Sequence, residues 1–109
     1  MAEVHEIDPE EYSHWRDQGY PHTLLDVRRG DELEQARVEG AIHIPERLIE
    51  ERSKEIPRNK PVVVMDHRGE CGERVSAFLI TDGFQEVYCL MGGIDQYAVV
   101  VDPSVRRYE

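Results

Sequence analysis

Hydrophobic positions along the chain fall into short runs divided by glycine, proline and charged clusters, and their periodicity changes from one run to the next. Thr23 to Val27 is short, mainly apolar and β-capable, the pattern of a strand covered on both faces, and Asp26 ends it. Pro61 to Met65 is the most strand-like stretch, Glu86 to Leu90 has the same character with Cys89 as a small core side chain, and Ala41 to Ile44 predicts a further brief strand. Segments with helical features lie between them. Asp8, Pro9 and Glu11 form a helix start, with a carboxylate at the cap, proline in the first position and a glutamate reaching back; the helix should run to about Gln18 and close at Gly19. Gly30 to Arg37 predicts a short helix and Pro45 to Glu55 a longer one. Arg74 to Asp82 predicts another, with Val75, Phe78 and Leu79 inward and Gly83 as its stop. Gly92 and Gly93 mark a tight turn before Ile94 to Val101, which begins as a helix and ends β-branched. This alternation predicts an α/β fold: a mainly parallel central sheet with helices on both faces. Without repeats or a linker-like tract, residues 1–109 read as one domain.

Composition narrows the partners more than it changes the fold. A chain of 109 residues with 39% hydrophobic and 33% charged positions suits one globular core. Its net charge of −10 repels polyphosphate and anionic lipid, so neither nucleic acid nor a membrane surface is expected as a partner. No apolar run, Ala98 to Val101 among them, comes near the ~20 residues of a membrane span. The start, MAEVHEIDPEEY, has no basic region followed by an apolar one, which predicts a cytoplasmic protein. There, Cys71 and Cys89 are expected as free thiols, although one bridge between them stays open.

Ligands of open parallel sheets bind beyond the carboxyl ends of the strands. The segment after Met65 therefore carries the candidate chemistry: Asp66, His67, Arg68, Gly69, Glu70, Cys71 and Gly72. A loop of this length between a strand and a helix can turn its amides inward as an anion-binding nest. Cys71 just precedes the helix, where thiolate is favoured; Arg68 and Arg74 support that and Glu70 and Glu73 oppose it, which makes Cys71 a candidate nucleophile. Arg68 and Arg74 are candidates to grip an anionic donor. Asp66 offers either a general base or an anchor for the loop amides. Asp66, His67 and Cys71 lack a fourth ligand, so neither metal nor cofactor is expected. Asp26 and Arg28, at the end of the first core strand, read as a structural ion pair or loop anchor. His5, His14, His22 and His43 show no paired spacing and are given no role.

The order of motifs resembles a single-domain rhodanese, of the sulfurtransferase family. LLDVR (Leu24 to Arg28), Glu32 and GAIHIP (Gly40 to Pro45) match its first signatures. PVVVM, then Leu79, Gly83, Phe84 and Val87, then MGGID (Met91 to Asp95) match the rest, and DPSVRRY (Asp102 to Tyr108) is similar to the tail of some bacterial members. The resemblance implies a loop opened by a catalytic cysteine, which takes sulfur as a persulfide and passes it to a nucleophile. Counting back from Leu79, Gly83, Phe84 and Val87 without a gap places Asp66 at that cysteine's position. Cys71 falls where an arginine or another loop-end residue is common, and Gly72 replaces the usual serine. Arg37 and Tyr97 stand where histidine and tryptophan are frequent. A carboxylate cannot hold sulfane sulfur, and its charge repels thiosulfate.

Two expectations follow. In the first, the chain is a binding or regulatory module in sulfur metabolism without ordinary sulfurtransferase activity. The alternative is an atypical sulfurtransferase with its persulfide on Cys71. In either, His67, Arg68, Gly69, Glu70, Gly72 and Arg74 form the binding loop, and a small anionic sulfur donor or an acceptor protein is the expected partner. Phosphatase or arsenate reductase chemistry needs an arginine six residues after the nucleophile; Ala77 follows Cys71 at that distance and Gly72 follows Asp66, so that class is set aside. Oligomeric state, and whether the tail from Asp102 packs on its own domain or a neighbour, stay open.

Overall fold

Val62–Met65 forms the middle strand of a parallel sheet, and its side chains alternate between two buried clusters: Val62 and Val64 enter one, Val63 and Met65 the other. Burial on both faces is why the run shows no polar alternation. In chain order the elements are β1 (Glu3–Ile7), α1 (Pro9–Asp17), β2 (Thr23–Asp26), α2 (Gly30–Leu33), β3 (Ile42–His43), α3 (Ile49–Arg52), β4 (Val62–Met65), α4 (Gly72–Thr81), β5 (Glu86–Leu90) and α5 (Gly93–Val100). The structure is a computed structural model and describes residues 3–70 and 72–109. Among these residues the sheet has five strands in the order β1-β5-β4-β2-β3, every neighbour parallel, with Leu25 opposite Val64 and Val64 opposite Cys89. Ile49, Val75 and Leu79 cover one face, from α3 and α4. Tyr12, Ile94 and Tyr97 cover the other, from α1 and α5. The expected α/β fold, with helices on both faces, is the observed one.

Local chemistry explains where the elements begin. Asp8 Oδ1 accepts from the Glu11 amide at 2.8 Å and caps α1. A glutamate reaching back is found instead at α2, where the Arg29 amide donates to Glu32 Oε1 at 3.1 Å.

Three elements differ from the sequence reading. The hydrophobic pattern does not announce β1: Glu3 to Glu6 are exposed on an edge strand, and Ile7 is its one buried side chain, so no period marks it. The helix expected over Gly30 to Arg37 ends at Leu33; beyond it the Gln35 amide makes a tighter three-residue turn on the Glu32 carbonyl at 3.0 Å, which the Ala36 amide shares at 3.2 Å. Pro45 to Glu55 is not one helix. Tight turns at Glu46–Leu48 and Ser53–Glu55 flank the short α3, closed by Leu48 to Pro45 and Ile56 to Ser53 bonds of 2.8 and 3.0 Å.

The turn between β5 and α5 sets the position of the loop after β4. Gly92 and Gly93 have φ of +74° and +61°, and a Cβ on Gly93 would lie 2.5 Å from the Asp66 carbonyl oxygen. That close approach lets the Ile94 amide donate to Asp66 O at 2.8 Å and the Asp95 amide to His67 O at 3.0 Å. Gly93→Ala is therefore expected to cost at least about 1–3 kcal/mol from backbone conformation alone, with the clash in addition, read as a lower urea midpoint.

Candidate functional site

The loop after β4 closes on its own first side chain. Asp66 is buried; its Oδ1 accepts from the Gly69 amide and its Oδ2 from the Gly72 amide at 2.8 Å. Gly72 begins α4, so the carboxylate also lies at the positive end of a helix of ten residues. Gly69, with φ +86°, packs so tightly on the Gly92 backbone that a Cβ there would stand 3.0 Å from Gly92 N. Two amides of the expected anion nest, those of Gly69 and Gly72, are thus turned toward a carboxylate of the chain itself. Cys71, the candidate nucleophile, lies outside the described residues.

Beside the loop a cleft of about 450 Å³ opens, lined by Val27, Arg28, Pro45, Asp66, His67 and Arg68 among others. Arg68 and Glu70 are exposed at its margin. Arg74 does not join them. Its side chain is 79% exposed and its Nη1 meets Glu46 Oε1 at 2.8 Å, so this candidate anion contact is an ion pair bordering a neighbouring pocket.

The wall of the cleft is a buried polar network. Arg28 grips Asp26 with two bonds, Nε to Oδ1 at 2.9 Å and Nη2 to Oδ2 at 2.7 Å, with both side chains no more than 2% exposed. His43 Nε2 donates to the Arg28 carbonyl at 2.7 Å, so this histidine ties β3 to the site. Arg28 Nη1 donates to the Tyr108 hydroxyl at 2.9 Å, and that hydroxyl donates to Glu32 Oε2 at 2.8 Å. Burial alone would pull the Arg28 guanidinium down, but its bonds to Asp26 and Tyr108 carry it above its ordinary value. Tyr108 is pushed up to about 12, first by burial and then by Glu32, with Arg28 opposing.

His67 extends the network to the loop: Nε2 donates to the Tyr108 carbonyl at 2.8 Å, and the two rings stack at 4.0 Å with planes 3° apart. The tail therefore packs on its own domain. Glu32, Asp95, Arg107 and Tyr108 enter the sequence reading only as parts of motifs, and His43 has no role in it. Tyr108 is 41 residues from His67 and 80 from Arg28, so no local spacing announces it. Cys89 is a core side chain: burial raises its thiol, and Sγ is 2.9 Å from Ser76 Oγ. Tyr97 is buried against Tyr12, with ring centroids 6.2 Å apart. Among the described residues no cluster of three or more His, Cys, Asp or Glu side chains is placed to hold a metal, and no helix is long and apolar enough to cross a membrane.

A parallel sheet carrying a loop of this shape between its middle strand and a helix defines the class of protein. The Rhodanese-like domain profile matches residues 8–99, and the chain belongs to that family. Over 95 residues it is 30% identical to the thiosulfate sulfurtransferase GlpE of Pseudomonas syringae, covering 87% of this chain and 88% of that one. Among solved structures, the rhodanese-related protein of Thermoplasma volcanium superposes with a TM-score of 0.83 at 24% identity, over 95% of this chain and 99% of that one. The reduced Bacillus anthracis CoADR-RHD also gives a TM-score of 0.83, at 26% identity; it covers 94% of this chain, which spans 18% of that protein. The chain is thus related to thiosulfate sulfurtransferases.

Proposed function

We propose that this chain is a rhodanese-like binding or regulatory module of cytoplasmic sulfur metabolism, without ordinary thiosulfate sulfurtransferase turnover. One observation carries the reading: the Asp66 carboxylate accepts the amides of Gly69 and Gly72. The ungapped count from Leu79, Gly83, Phe84 and Val87 puts this aspartate where the family has its cysteine. A carboxylate there has no sulfur to form a persulfide. It occupies donors that would otherwise face an incoming anion, and its charge opposes a thiosulfate dianion. An acceptor protein of sulfur metabolism, docked at the cleft beside Arg28, His67 and Arg68, suits this arrangement better than free thiosulfate does.

Intact-protein mass spectrometry after thiosulfate treatment, beside a cyanide-to-thiocyanate assay on wild type, Cys71→Ser and Cys89→Ser, tests the proposal. The expected result is no added sulfur and no turnover in any of the three. A sulfur adduct with turnover, lost only in Cys71→Ser, would replace this reading with an atypical sulfurtransferase whose persulfide forms on Cys71, immediately before α4 in the sequence.

A further inference from the structure

The last eight residues run without helix or strand, yet they are tied to the site at two points. Arg107 forms a two-pronged ion pair with Asp95, Nε to Oδ1 at 2.9 Å and Nη2 to Oδ2 at 3.0 Å. Asp95 lies in the first turn of α5, and its amide holds the His67 carbonyl. One residue on, Tyr108 lays its ring on His67 and sets its hydroxyl between Arg28 Nη1 and Glu32 Oε2.

These partners select a neutral hydroxyl. Arg28 presents an N–H and Glu32 a lone pair, and a phenol answers both at once. A carboxylate or phosphate would meet Glu32 with like charge, and a plain phenyl ring would leave Arg28 Nη1 only its long 3.4 Å bond to the Glu32 carbonyl and Glu32 Oε2 without a hydroxyl donor. The flat face of His67 fixes the plane of the ring.

We propose that Arg28, Glu32 and His67 form a phenol-binding niche in the wall of the cleft, and that Tyr108 fills it as a self-docked strap beside the Asp66 loop. The raised ionisation of Tyr108 agrees, because it keeps the hydroxyl protonated and able to donate to Glu32. The second clamp is weaker: the Arg107 side chain is 61% exposed, so salt screens its pair with Asp95. The principal hold is then Tyr108 itself, through its hydroxyl, its ring on His67 and its carbonyl bonded to His67 Nε2, beside Val105 packed on the core. When the strap leaves, the niche is open to a tyrosine side chain presented by a partner protein. That last step rests on the module reading, which makes the cleft a docking place; the niche itself does not depend on sulfur transfer.

The test uses full-length Tyr108→Ala with p-cresol as the probe and the His67 ring resonances as the readout. p-Cresol should shift them saturably in the variant and not in wild type. Toluene, which lacks the hydroxyl, should bind at least about tenfold more weakly. Equal binding of the two probes, or a wild type that responds like the variant, overturns the proposal. Tyr108→Phe keeps the ring and serves should the alanine variant fold poorly. Carboxypeptidase should strip its C-terminal residues about tenfold faster than those of wild type, and equal rates overturn the proposal. A persulfide found on wild type would remove the module reading and leave these results standing.

Discussion

Asp66→Cys is expected to turn the protein into a working thiosulfate sulfurtransferase. The substitution puts a thiol at the head of the loop and frees the Gly69 and Gly72 amides from the carboxylate that now holds them. The thiolate attacks the outer sulfur of thiosulfate, the S–S bond breaks, sulfite leaves with its electron pair, and a persulfide remains. Cyanide then takes the outer sulfur as thiocyanate and regenerates the thiolate. The freed amides, at the positive end of α4, face the anion that the wild-type carboxylate repels. Removing a nucleophile from other enzymes costs several orders of magnitude, so supplying one here should raise thiocyanate formation on the order of a hundredfold or more over wild type. Asp66→Ala is the control: it frees the same amides without a thiol and should stay inactive. A folded Asp66→Cys that neither gains sulfur nor turns over would show that the aspartate is not what blocks the chemistry.

That experiment addresses a residue the sequence exposes readily. Asp66 follows the least ambiguous strand of the chain, and a strand end before a helix is where an α/β sheet places its ligands. β2, β4 and β5 are legible for a related reason: β2 and β4 are buried at every position, and β5 at Val87, Cys89 and Leu90 with Tyr88 half-buried, so no polar alternation interrupts their apolar residues. β1 lies at the sheet edge with four exposed residues and leaves no such trace. The wall of the cleft is legible only in its shortest link. Asp26 and Arg28 are two residues apart at a strand end, and an ion pair is a natural reading. Their completion by Tyr108 joins residues that are distant in sequence, and Arg74 finds Glu46 rather than the loop because the turn at Glu46–Leu48 packs beside α4. Such contacts follow from how the layers stack, which no local pattern encodes.

The Asp26–Arg28 pair carries the largest expected effect on stability. Asp26→Ala would leave a guanidinium in a wall where its side chain is 1% exposed, with Nε and Nη2 deprived of their carboxylate. Breaking a buried pair from one side costs about 3–5 kcal/mol, against a total stability of about 5–15 kcal/mol for a domain. Urea denaturation should show a much lower midpoint at nearly unchanged slope. The loss should also reach the tail, because Arg28 Nη1 holds the Tyr108 hydroxyl and an unanchored guanidinium no longer presents it. Carboxypeptidase should therefore remove the C-terminal residues faster from Asp26→Ala than from wild type under conditions where both are folded. Removing both charges separates the two effects. Asp26→Leu combined with Arg28→Met leaves no uncompensated ion and should recover most of the lost stability. The tail should stay released in that double variant, since a thioether side chain has no N–H to offer the Tyr108 hydroxyl. If Asp26→Ala costs less than about 1 kcal/mol, water reaches Arg28 and the wall is not the closed network that its geometry describes.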